Sequence, residues 1–103
     1  MQTVSDQPLN QFTQSENDVD FLFIHSPFCG TCHLARKMLE TVEAIKEVPL
    51  SELNAAVHPD FMWEYQIESV PCLLILRKGT TLEKLYAFHS VPYLYEKMNY
   101  YQL

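Results

Sequence analysis

The sequence predicts an α/β fold, a central mixed β-sheet flanked by helices on both faces. Three observations lead there. Val19 to His25 (VDFLFIH) is a nearly unbroken apolar run of strand length, the pattern of a central strand covered on both sides. Further on, Leu34, Met38, Val42 and Ile45 recur at three- or four-residue steps, with Arg36, Lys37, Glu40, Glu43 and Lys46 filling the rest. That spacing is one apolar stripe on a helix. Two later apolar runs meet at Lys78-Gly79, a turn signal that joins antiparallel strands. Strand–helix–strand units pair in parallel and the hairpin pairs antiparallel, so the sheet is mixed.

The elements follow in order along the chain. Met1 to Val4 is a short edge strand. Ser5 or Asp6 caps a helix that runs to about Gln14 and buries Leu9 and Phe12. Asn17-Asp18 breaks the chain before the Val19 to His25 strand. Ser26-Pro27-Phe28 is a turn, and a helix follows from Cys29 to about Glu47. Val48 to Leu53 forms another short strand. Pro59 to Gln66 is a short helix with His58 or Asp60 near its start. Val70 to Arg77 is a strand containing Pro71, and Leu82 to Phe88 pairs with it across the Lys78-Gly79 turn. Pro92 opens a last helix that reaches about Tyr101, at a position where its missing N–H costs nothing. The order is β-α-β-α-β-α-β-β-α.

A length of 103 residues suits one domain spanning 1–103. With 48% hydrophobic residues the chain can bury a core without disulfide staples. Seven Lys and Arg stand against thirteen Asp and Glu, a net charge of −6. That balance disfavours phosphate-bearing partners, both nucleic acid and anionic membranes. No stretch has the length of a membrane-spanning helix, and Met1 to Asn10 lacks the basic-then-apolar pattern of an export signal. The expected location is the cytoplasm and the expected state a monomer. Three cysteines, Cys29, Cys32 and Cys72, are an odd count. In a reducing compartment a close pair reads as redox chemistry or metal binding, not as a structural framework.

Cys29 falls where a strand has ended and a helix begins. Unpaired helix N–H groups and the positive end of the helix dipole favour its thiolate. Cys32, three residues on, returns to the same face within disulfide reach. Cys29 is then the attacking thiol and Cys32 the shielded resolving one, which displaces the reduced substrate and closes a Cys29–Cys32 disulfide. The electrons reside in the thiols, so no bound cofactor is required.

FCGTCH, residues 28–33, resembles the WCGPCK motif of the thioredoxin family. QIESVPCLLILRKG, residues 66–79, resembles the family's segment around its cis-proline, and the two lie at about the family's spacing. The resemblance spans Phe12 to Met98 and implies a thioredoxin fold and a thiol–disulfide oxidoreductase. It implies that Val70-Pro71 is a cis peptide beside the cysteines, with Pro71 positioning substrate and the Val70 backbone pairing with it. Phe28, Gly30 and Thr31 complete the implied substrate surface. Disulfide-containing proteins are the implied substrates, and a reductase or a low-molecular-weight thiol the implied electron source. Several positions depart from the family. Phe28 replaces tryptophan, and Thr31 replaces proline and restores a backbone N–H. Phe23 stands where the family buries an aspartate that relays a proton to and from the resolving cysteine. Glu52 falls near the position of that aspartate's companion lysine. Glu52 or His25 is the expected substitute relay, against the plainer reading of a solvated Glu52 and a strand-end His25. Ala87-Phe88-His89-Ser90 lacks the family's rim glycine, so a narrower or different set of partners is expected.

Other residues have their own readings. His33 completes the C-x-x-C-H pattern of haem attachment, but a strand-rich chain with Pro71 suits that poorly. It is expected as an exposed helical histidine, or as a cation that lowers the Cys29 pKa. Cys72 is expected to be buried and inert, because strand parity points it away from Pro71. The alternative is a Cys₃His zinc set of Cys29, Cys32, Cys72 and His33. A redox-inert binding module is the other alternative. Tyr93, Tyr95, Tyr100 and Tyr101 are expected to pack on the sheet, with any exposed remainder forming a partner surface. His58, His89 and the Arg77-Lys78 pair are read as surface residues.

Overall fold

The computed structural model describes residues 1–102. Strand β2 (Asp20–His25) and strand β4 (Cys72–Arg77) form the centre of a five-stranded sheet. Side chains alternate across a strand, so the unbroken apolar runs supply two cores. Phe21, Phe23, Leu73 and Ile75 enter one core, and Leu22, Ile24, Cys72, Leu74 and Leu76 enter the other. The remaining strands are β1 (Gln2–Thr3), β3 (Leu50–Asn54) and β5 (Thr80–Leu85), and the spatial order is β1-β3-β2-β4-β5. β1–β3 and β3–β2 pair in parallel, while β2–β4 and β4–β5 pair antiparallel, with an irregularity between Ile75 and Leu76.

Helix α2 (Gly30–Ile45) and helix α4 (Val91–Gln102) cover the first core, the latter through Leu94 and Met98. Helix α1 (Pro8–Thr13) and helix α3 (Pro59–Glu64) cover the second, through Phe12 and Phe61. The mixed sheet with helices on both faces is therefore as the sequence predicts.

Details differ for physical reasons. The buried stripe of α2 is Cys32, Ala35, Leu39 and Val42, whereas Leu34 and Ile45 are 64% and 63% exposed. Residue hydropathy favours Leu and Ile, but the small Cys32 and Ala35 let the helix lie close to the sheet. Neither Ser5 nor Asp6 caps α1. The Ser5 hydroxyl instead accepts the Gln7 N–H, and the helix starts at Pro8, whose ring presets the first turn. α3 stops at Glu64, two residues early, because Gln66 takes a left-handed backbone (φ 52°) and its N–H and that of Ile67 return to the Trp63 and Met62 carbonyls. Val70 and Pro71 precede β4 rather than belonging to it, since proline cannot donate to the ladder. β5 starts at Thr80 instead of Leu82 and ends at Leu85 instead of Phe88. Lys78 and Gly79 both have positive φ, 50° and 83°, and this two-residue turn brings Thr80 opposite Arg77 at once. A side chain at Gly79 would also meet Thr13, its Cβ lying 2.6 Å from Thr13 Cγ2.

Candidate functional site

The end of β2 delivers the chain to a tight turn that ends in α2. The Phe28 N–H donates to the Ser26 hydroxyl (3.3 Å) and the Cys29 N–H to the Ser26 carbonyl (3.2 Å). Cys29 has an extended backbone and is the N-cap, so the helix begins at Gly30, one residue later than the sequence predicts. Its sulfur lies at bonding distance from that of Cys32, with the Cα atoms 5.4 Å apart. The pair is asymmetric. Cys29 is half-buried at the protein surface, whereas Cys32 is 5% exposed and part of the core. The Thr31 hydroxyl lies 3.5 Å from the Cys29 sulfur. Gly30, Thr31 and His33 are exposed, and Phe28 projects into solvent at 91% exposure.

The Val70–Pro71 peptide is cis. Pro71, Thr31, Leu34, Phe88 and His89 line a shallow cavity of about 300 Å³ beside the pair. The structure thus brings Thr31 and Pro71 to one groove. It also places His89 there, although nothing in its sequence spacing marks it as more than a surface residue. His89 adopts a left-handed backbone (φ 50°) and packs edge-on against Tyr93, with ring centroids 4.7 Å apart. The rim lacks glycine, yet it uses a conformation that glycine favours.

Phe23, which shares the first core with Cys32, belongs to a mixed aromatic and charged cluster. Phe23 is fully buried, stacked on His25 (5.4 Å) and edge-on to Phe88 (6.1 Å). The Arg36 guanidinium lies 5.4 Å from the Phe23 ring centre. Arg36 donates two hydrogen bonds to Glu52, at 3.0 and 2.9 Å, and His25 Nε2 lies 3.2 Å from Glu52 Oε1. Parallel register sets this up, because Glu52 stands opposite Phe23. The forked bond from Arg36 holds the Glu52 carboxyl below its ordinary range, against the opposing effect of burial. Burial lowers the His25 pKa, and the nearby Arg36 charge lowers it further, while Glu52 pulls it upward. Burial prevails, so the fold favours the neutral imidazole of His25.

The sequence offers Glu52 or His25 as alternative relays and places Arg36 on the polar side of α2, whereas the structure brings all three together. Two signals could have found it. Arg36 follows Cys32 by four residues, so it lies one turn on along the same side. An acidic residue also stands in β3, the strand that pairs with β2.

Cys72 lies in the other core, opposite Ile24, and burial pushes its thiol up to about 12. The strand parity expected for it therefore holds, and the four-residue zinc set is corrected. The sheet separates Cys72 from the pair, and among the described residues no three His, Cys, Asp or Glu side chains are placed to hold a metal ion. Tyr93, Tyr95 and Tyr101 pack against the first core, and Tyr100 is 69% exposed. Among the described residues, no helix is long and apolar enough to cross a membrane.

Comparison with known proteins agrees with this geometry. The sequence profile of the thioredoxin family matches residues 1–99. The chain is 51% identical over 82 residues to the thioredoxin-like protein YusE of Bacillus subtilis (strain 168), covering 79% of this chain and 77% of that one. It is 31% identical over 68 residues to the mitochondrial thioredoxin of Bos taurus, covering 64% of this chain and 39% of that one. A mutant thioredoxin from Halobacterium salinarum NRC-1 superimposes with a TM-score of 0.85 over 99% of this chain and 90% of that one, at 19% identity. At that identity the match speaks for the fold alone.

Proposed function

Because the chain belongs to the thioredoxin family, we propose that it reduces or exchanges disulfides of protein substrates through Cys29 and Cys32. The supporting observation is the asymmetric pair at the start of α2, with one sulfur near the surface and the other in the core. The Cys29 thiolate attacks one sulfur of a substrate disulfide. A mixed disulfide forms, and the other substrate sulfur leaves as a thiolate that takes up a proton. Cys32 loses its proton and attacks the Cys29 sulfur. The second substrate sulfur leaves as a thiolate that is protonated in turn, and the Cys29–Cys32 disulfide closes. Two electrons pass from the protein to the substrate, with one proton released by Cys32 and the other drawn from solvent. A reductase or a low-molecular-weight thiol then restores the dithiol, in keeping with a cytoplasmic setting and a monomer.

The substrate strand lies in the groove between Thr31 and Pro71, with the Val70 backbone beside it and Phe28 and Gly30 at its edge. His25 suits the relay better than Glu52 does. A carboxylate pinned by arginine is a poor proton acceptor near neutrality, whereas a neutral imidazole is an able one. Trapping tests the proposal. A Cys32→Ser variant cannot resolve the mixed disulfide, so it accumulates covalent adducts in cells that thiol reductants release. If it holds no adducts while Cys29 still reacts with an alkylating agent, the exchange role fails.

A further inference from the structure

Phe28 and Trp63 are the most exposed of the large hydrophobic side chains, at 91% and 84%. Phe28 adjoins Cys29. Trp63 belongs to neither core and has no part in the redox steps. An indole left in water next to other apolar groups marks a contact surface. Trp63 forms one wall of a cavity of about 390 Å³, completed by Met62, Glu64, Gln66, Ile67 and Glu68. The turn that shapes it is held by its backbone, through the left-handed Gln66 and the returning N–H groups of Gln66 and Ile67. Lys84 further ties this turn to β5 by donating to the Gln66 carbonyl at 3.1 Å.

This cavity neighbours the redox groove, with which it shares no lining residue but to which one hydrogen bond connects it. The Glu68 N–H donates to the Tyr86 hydroxyl at 3.2 Å, and Tyr86 also lines the groove beside Pro71. Glu68 is two residues from Val70. The charged side chains lining the cavity, Glu64 and Glu68, are both acidic and exposed, and neither joins an ion pair among the described residues. An apolar floor, an indole face and two carboxylates together fit a long cationic side chain. Its stem would lie on Trp63 and Ile67, with its head between the ring and the glutamates.

We propose that this cavity is an exosite for the protein substrates attacked by Cys29, and that it selects those with a Lys or Arg a few residues from the reacting cysteine. The inference rests on the oxidoreductase reading and adds a substrate class to it. Its test uses the reduced full-length protein and three probes, namely a small aromatic disulfide and two disulfide-linked peptides that differ only in carrying Arg or Ser near the cysteine. The wild type should reduce the Arg peptide with a kcat/KM about fivefold above that of the Ser peptide, and added salt should erode the preference. Trp63→Ala, and separately the double change Glu64→Gln with Glu68→Gln, should each bring the ratio of the two rates to within about twofold of one. Equal rates for the two peptides in the wild type would overturn the exosite while leaving the redox reading intact. So would a ratio that neither variant changes. Failure to reduce even the small disulfide would overturn the redox reading, and the exosite with it.

Discussion

Arg36→Gln tests the physical cluster around Phe23. The substitution removes two charge-assisted hydrogen bonds of 3.0 and 2.9 Å to Glu52. Arg36 is 30% exposed and Glu52 19%, so solvent screens part of the attraction. Net loss of about 1–2 kcal/mol at pH 7 follows, in two-state urea or thermal unfolding. The pH dependence carries the sharper signal. Glu52 has a lowered carboxyl pKa in the fold, so its contribution is present above the ordinary carboxylate range and is lost as pH falls through the lowered value. His25 is also lowered from 6.5, so the fold favours its neutral form; that contribution is present above 6.5 and declines as pH falls toward the folded value. Both effects weaken the wild type on acidification. Without Arg36, Glu52 is less strongly held as an anion, and His25 loses a repelling charge while keeping its carboxylate. The stability gap between variant and wild type should therefore narrow as Glu52 protonates. The His25 midpoint, followed by NMR, should rise in the variant. A gap below about 0.3 kcal/mol at pH 7, or an unmoved His25 midpoint, would refute the coupling.

Other consequences are independent. Cys72, with its thiol raised to about 12 and no exposure, should resist iodoacetamide in the native reduced protein through pH 9 and label on unfolding; mass spectrometry of native labelled protein decides this. Gly79→Ala should cost about 1–2 kcal/mol in chemical denaturation, from its positive φ and the contact with Thr13. Gly30→Ala meets nothing within 4 Å and should change stability by less than about 0.5 kcal/mol in the same assay. Phe28→Ala, at 91% exposure, should likewise leave the unfolding midpoint in place but lower kcat/KM for protein disulfides more than for a small disulfide.

The legible parts of the fold were those set by repetition. β2 and β4 read as unbroken apolar runs because each feeds two cores, and no polar face interrupts them. The hairpin read from Lys78-Gly79 because positive φ at consecutive residues restricts the residue types that fit. The face of α2 was misread because close helix–sheet approach selects Cys32 and Ala35, small residues that a hydropathy stripe ranks below Leu34 and Ile45. In the site, Cys29, Cys32 and Pro71 were legible as local motifs. Arg36 was not, because its role arises from a pairing between α2 and β3 that lies sixteen residues apart in sequence. The prominence of Trp63 was also hidden. Phe61 and Trp63 share one short helix, and the sequence does not say which of them faces the core; packing gives that place to Phe61.

Insulin reduction with dithiothreitol as electron source addresses thiol–disulfide exchange through Cys29 most directly. Catalytic amounts of the wild-type protein should shorten the lag before insulin precipitates, and Cys29→Ser should return the lag to that of dithiothreitol alone. A wild-type trace that overlies the buffer control, or full acceleration by Cys29→Ser, would contradict it.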